Sequence, residues 1–547
     1  MPLFEVSVDV RPSDSRFIFK LSPPDMTSSN RERWTPLSEI RRKCMRKLQK
    51  NKHRIPINIT HLYNTYYTCQ NNYSDFLKSV EDSQKLQGNL TDSDNEYIRT
   101  FLQSHIFPII DDLPPPPDLL EPLVKRQYED ITIDQLQQEF PLINWEKFFT
   151  IISSYRINKT AFVQVYFKQY FQKMFQKLSK LLDKELISAF LAILNNKMYH
   201  TTVYPFHSES RIEYCKESTK ELMPDVTNYL YKTKVSSEKL VKKGEVLQGL
   251  FQNLKFHFQK YFLQKLRWLD DESRTSIRDK IDSINLEIFQ NEDTDIEKVF
   301  LESFYENLRI KQENYNYNLF NLLKFRRKSL FSIEGQIATA DMIFRHFIDN
   351  SNEKPLSFYG HNTVCIPYAL INKVHRDLPG YILLAQVGFP LANILGHAFD
   401  PIGIKYDVKL NENATQFYNH FINHTGNTLS NHSSLGKQKV VFNINKHLPE
   451  AELVAEHIAI RILANSIGSI ENHPLLPWIS YKFSREKIFF IAVVQESCED
   501  LSLMDFILQI HESAVLPPQL RVKNFLKNSE IFSTQFSCVP SSIALFT

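Results

Sequence analysis

The segment Leu391-Ala392-Asn393-Ile394-Leu395-Gly396-His397-Ala398-Phe399-Asp400 has the spacing of a metal-handling helix but lacks two of the side chains such a helix needs. A helix that binds Zn²⁺ and cleaves amide bonds reads His-Glu-x-x-His. Histidines four apart share one face, and the glutamate between them polarises the attacking water. In this chain Asn393 stands at the first histidine position, Ile394 at the glutamate, and His397 alone remains. Isoleucine can neither accept nor deliver a proton, so the general-base step has no group to carry it. A lone histidine in an apolar helix is commonly a packed core residue. What surrounds His397 therefore decides its reading.

A second acidic pair lies downstream. Pro449 suits a helix start and Gly468 a stop, which predicts a helix over 450–467 with Glu452 and Glu456 on one face. Two like charges at i and i+4 cost roughly 0.2–0.5 kcal/mol on an isolated helix, so the pair calls for a cation nearby. The alternative is a solvated acidic face beside the apolar stripe Val454, Ile458 and Ile462. Pro390 and Pro401 bracket the helix that carries His397. Residues 354–376 read as an edge strand and its return.

The rest of the chain is read more coarsely. Residues 1–24 carry Ser, Pro and Asp and look irregular, with no signal-peptide pattern. Residues 25–105 read as helices broken by polar turns. The prolines at 113–118 read as an extended linker. From 130 to 335 the pattern is helical; after Asp270-Asp271, Ile277, Ile281, Ile284 and Ile288 recur at helical spacing behind an acidic first turn. The chain is thus divided into an irregular segment 1–24, a helical region 25–340 and a C-terminal region 341–547. With 12 glycines among 547 residues, left-handed turns are scarce, which suits a helix-rich fold with aromatic cores. A net charge of +3 without a basic tract argues against a nucleic-acid partner. No window approaches an unbroken membrane-spanning length.

Several segments, in order, resemble the neprilysin/endothelin-converting-enzyme family of zinc metallopeptidases (peptidase family M13). These are Arg33-Trp34 with Leu37 and Arg41-Arg42-Lys43; Leu62-Tyr63, Tyr66-Tyr67 and Cys69; and Ile131 to Leu136 followed by Pro141 and Ile143-Asn144-Trp145. Further on come Leu266-Arg267-Trp268-Leu269-Asp270-Asp271-Glu272-Ser273-Arg274, Phe489-Phe490-Ile491 with Gln495 and Cys498, and His511, Arg521-Val522 and Phe536-Ser537-Cys538.

The resemblance implies a mainly α (α+β) fold: two largely helical lobes around a large internal cavity, with a thermolysin-like zincin core in the C-terminal part. It makes Glu452 the heir of the third zinc ligand and Glu456 that of a second carboxylate orienting the first histidine, now Asn393. His511 is similar to a histidine that steadies the oxyanion, and Arg521 to an arginine that grips substrate. Phe358 and Tyr359 stand in the substrate-binding edge strand, where Leu356 replaces the anchoring asparagine. The resemblance also implies a Cys69–Cys215 disulfide. Cys498 and Cys538 match cysteines whose partners this chain lacks, and Cys44 and Cys365 have no counterpart.

The expectation is a degenerate member that has lost hydrolysis and binds a peptide or protein partner, with no cofactor, although active members hold zinc. An active zinc metalloendopeptidase acting on oligopeptides and a purely structural interaction protein are the alternatives. The family setting implies an extracellular or plasma-membrane-associated glycoprotein, and Asn-x-Ser/Thr sequons occur at Asn58, Asn72, Asn89, Asn158, Asn413, Asn423 and Asn431. The absent leader and anchor instead suggest a truncated or cytoplasmic product.

Overall fold

Alternation of apolar and polar side chains at a period of two builds the first element. Val8 and Val10, then Phe17, Phe19 and Leu21, point to one side of a hairpin made by β1 (Glu5–Val10) and β2 (Phe17–Ser22). The strands run antiparallel, with Val8 opposite Phe19. The expectation of an irregular start is corrected here: the Ser/Pro/Asp residues fill the turn, while the strands on either side follow the pleat. A computed structural model describes residues 3–24, 57–58, 60, 62–63, 91–112, 114, 118–119, 122–123, 126–192, 211–233, 237–263, 270–288, 294–312, 314–375, 378–406, 432–435, 438–441, 449–469, 483–527 and 529–538. The proline segment 113–118 falls almost wholly outside these residues.

The sheet is completed by β3 (Tyr128–Thr132) and, after helix α1 (Trp145–Ser153), by β4 (Phe162–Tyr166). Its order is β1-β2-β4-β3, with β2 and β4 parallel. Helix α1 starts where the Asn144 side chain accepts from the Lys147 amide. It buries Trp145, whose indole N–H donates to the Phe140 carbonyl at 2.8 Å. Helix α2 (Lys168–Leu178) adds Phe171 and Phe175, and the rings of Phe4, Trp145, Phe149, Phe171 and Phe175 pack into a first core.

A second core forms around α3 (Ser237–His257) and α4 (Asp271–Ser283). Asp270 caps α4 by accepting from the Ser273 amide at 2.7 Å, and Asp271 and Glu272 complement the positive helix end. The expected isoleucine stripe holds for Ile277 and Ile281, both buried. It ends there: Ile284 is extended, and Ile288 belongs to β5 (Asn285–Ile288). Helix α5 (Ala340–Phe347) returns to the first core, and β6 (Leu356–Phe358) and β7 (Thr363–Ile366) follow. The second sheet runs β5-β7-β6, with β5 parallel and β6 antiparallel to β7. Strand β7 is the wall between the cores. Val364 and Ile366 enter the second core and Cys365 the first.

The C-terminal helices close the second core. A wide-wound turn at Leu384–Gly388 leads into α6 (Phe389–His397), which packs against α7 (Glu450–Ser466). They are followed by α8 (Arg485–Gln495), α9 (Leu503–Glu512), α10 (Pro518–Lys527) and α11 (Glu530–Gln535). Among the described residues, no helix is long and apolar enough to cross a membrane. The architecture is mainly helical with small sheets, as expected. The boundary drawn at 340 does not separate the cores: α3 and α4 serve the second, and α5 and Cys365 serve the first.

Candidate functional site

The α6–α7 contact sets the geometry. A Cβ added at Gly396 would lie 2.6 Å from the Ala455 carbonyl oxygen and 2.9 Å from its Cα. Only glycine permits this backbone approach. It brings the polar face of α6, with Asn393 and His397, against Glu452 and Glu456 of α7.

Both α6 side chains converge on one carboxylate. Asn393 Nδ2 donates to Glu452 Oε1 at 3.1 Å, and His397 Nε2 lies 3.2 Å from Glu452 Oε2. From α10, Arg521 donates through Nε to Glu456 Oε1 at 2.6 Å and through Nη2 to Glu452 Oε1 at 3.2 Å, and Nη2 also pairs with Glu456. The cation that two adjacent glutamates call for is therefore present. The solvated-face alternative fails, because Glu456 is fully buried.

Asp400 completes the set. One carboxylate oxygen lies 2.6 Å from His397 Nδ1, and the other accepts from the Ile402 and Gly403 amides at 2.7 Å each. The sequence reading gave Asp400 no role. Its signal was an aspartate just past a helix end, followed by Pro-Ile-Gly, a pattern in which an Asx turn fixes the carboxylate.

The charges follow from this geometry. Burial alone would push the His397 imidazole down, but its bonds to Asp400 and Glu452 outweigh burial and raise it to about 10. Burial would raise Glu452, yet His397, Arg521 and Asn393 hold it down to about 2. Glu456 is pushed up to about 7 by burial, against the pull of Arg521. His397 is thus an imidazolium that donates from both ring nitrogens.

These residues do not fit a catalytic zinc ion. Such a site needs three His, Glu, Asp or Cys donors and a neutral imidazole with a free lone pair. Here one of the three positions is an amide, Asn393, and the Glu452 carboxylate that would be a ligand is shared with Asn393 and Arg521. Among the described residues no group of three metal-ligating side chains is found.

The other expected residues lie around this cluster. Leu356 is 37% exposed on β6, the edge of its sheet. Phe358 packs edge-on against Phe347 on the side of the first core. Tyr359 is half-buried, stacked on Tyr406 with ring centroids 5.3 Å apart. Burial raises its phenol well above the ordinary value, and the charges of Asp400 and Glu452 reach it. His511 stacks on Tyr63 at 4.3 Å, and burial pushes it down to about 4, which leaves it neutral. Its Nε2 is buried without a hydrogen-bond partner among the described residues. Arg521 is already bound to two carboxylates, so its fork is occupied. Cys215 is free and exposed, and Cys69 lies outside the described residues. Cys498 and Cys538 are free and exposed, and Cys365 is buried.

Comparisons with known proteins place this geometry in context. A sequence profile of peptidase family M13 matches residues 357–545, and a second profile of the same family matches residues 1–290. An endothelin-converting enzyme homolog of Locusta migratoria is 23% identical over 462 residues, covering 76% of this chain. The match spans 60% of that relative's length. PepO from Lactobacillus rhamnosis superposes with a TM-score of 0.71 at 12% identity, covering 100% of this chain and 80% of that one. The Mycobacterium tuberculosis zinc metalloprotease Zmp1, in complex with an inhibitor, gives 0.70 at 13% identity, covering 100% and 79%.

Proposed function

This chain belongs to peptidase family M13, and we propose that it has exchanged zinc-dependent hydrolysis for the binding of a peptide or a partner protein. The observation that carries the reading is the state of Glu452. Its carboxylate is committed to Asn393, His397 and Arg521, and the position beside Asn393 that would deprotonate water is Ile394. The two charge centres that a metal ion would balance are balanced by side chains instead. Edge strand β6, with Leu356 exposed where the anchoring asparagine would stand, and the half-buried Tyr359 beside it support a remaining peptide-binding edge. The family setting supports an extracellular or membrane-associated place of action.

The test combines metal analysis with turnover. The purified chain is expected to carry no stoichiometric zinc after dialysis against it, by plasma mass spectrometry, and to leave a mixed oligopeptide library uncut. Chelator-sensitive cleavage would overturn the proposal. The repair variant Asn393→His with Ile394→Glu is expected to take up zinc, because positions 393, 397 and 452 already converge.

A further inference from the structure

Arg126 joins a residue on the side of the first core, Asp9, to one on the side of the second, Tyr406. Arg126 lies just before β3, on the side of the first core. Its Nη1 lies 3.1 and 3.2 Å from the two carboxylate oxygens of Asp9 on β1. The same Nη1 donates to the Tyr406 hydroxyl, and the guanidinium carbon sits 5.4 Å from the centre of the Tyr406 ring. Tyr406 ends the short turn Gly403–Tyr406, which leaves α6 immediately after Asp400. That turn belongs to the second core: Ile404 packs against it, and Lys280 of α4 donates to the Gly403 carbonyl at 2.8 Å.

The backbone at Arg126 is unusual as well. Its φ is +48°, in the left-handed region that a side chain makes costly. The turn is held by the Arg126 amide on the Leu123 carbonyl and the Gln127 amide on the Pro122 carbonyl. A strained arginine aimed across two cores is a feature that contact with Asp9 alone would not require.

We propose that Arg126 is a positioning residue, a clasp that fixes Tyr406, and through it Tyr359, as the wall of the candidate site. Asp9 orients the guanidinium, and the guanidinium holds the Tyr406 hydroxyl. Tyr359, stacked on Tyr406, then stays beside the Asp400 turn, where the charges of Asp400 and Glu452 reach it. Breaking the clasp frees the Asp400–Tyr406 turn and opens the site on that side. The inference deepens the binding reading above, but its test uses no ligand, so each can fail alone.

The experiment is amide hydrogen exchange on the full chain, followed at Ile402, Gly403 and Ile404, whose amides all bond Asp400. Arg126→Ala is expected to raise exchange there by about tenfold while leaving α3 unchanged. Arg126→Gly removes the side chain and suits the left-handed turn, so it separates the clasp from backbone distortion; the same rise is expected. Tyr406→Phe, which keeps the stack but loses the hydroxyl, should raise exchange, and Arg126→Lys should fall between wild type and Arg126→Ala. Unchanged exchange in Arg126→Gly, or a rise shared equally by α3, would overturn the proposal.

Discussion

Arg521 and His397 share the work of neutralising an acidic pair, Glu456 buried and Glu452 partly so, and their contributions separate experimentally. Replacing Arg521 by Met keeps bulk but leaves Glu452 and Glu456 without their guanidinium. Removing one partner of a buried pair costs roughly 3–5 kcal/mol, so the urea midpoint of Arg521→Met should fall with the slope unchanged. For His397 the sign is set by a folded value raised from 6.5 to about 10. The imidazolium's contribution is complete below pH 6.5 and is lost as the pH climbs through 10. The stability gap between wild type and His397→Gln should therefore narrow steadily across that window. A gap independent of pH would mean that the ring is neutral when folded. Part of this was legible in the residues: two glutamates four apart called for a cation. Which cation was not legible, because Arg521 comes from another helix and Asp400 acts through a turn.

At the scale of elements, the α6–α7 pair rests on one absent side chain. Gly396→Ala would force the helices apart or distort them, at about 1–3 kcal/mol, the usual cost of overpacking. A lowered thermal midpoint, together with loss of the pH dependence assigned to His397, would show that helix spacing and charge network are coupled. Helix α7 was readable from Pro449 and Gly468, and its observed span is Glu450–Ser466. The hairpin at the start was not read, because its strands are short and the polar turn between them masks their period of two. The isoleucine series after Asp270 misled for a related reason. Spacings of three and four persist by chance after the helix ends, and strand pairing of β5 with β7 takes over at Asn285. Arg126 had no signal at all, since its left-handed turn and its reach to Tyr406 exist only in three dimensions.

For the whole molecule, strand β7 makes the two cores interdependent. Cys365 is fully buried, and burial pushes its thiol up to about 12. Cys215, Cys498 and Cys538 are exposed. Alkylation in native buffer should modify those three within minutes and reach Cys365 only at the rate of global unfolding, as located by peptide mass spectrometry. Rapid native labelling of Cys365 would show that the wall between the cores opens locally.

That shared wall also governs birth of the protein on the ribosome. The first core takes residues from Leu3 to Cys365, so it is completed only once Cys365 has been translated. The aromatic cluster around Trp145 draws its rings from Phe4, Phe148, Phe149 and Phe175, so it can gather while that strand is still inside the exit tunnel.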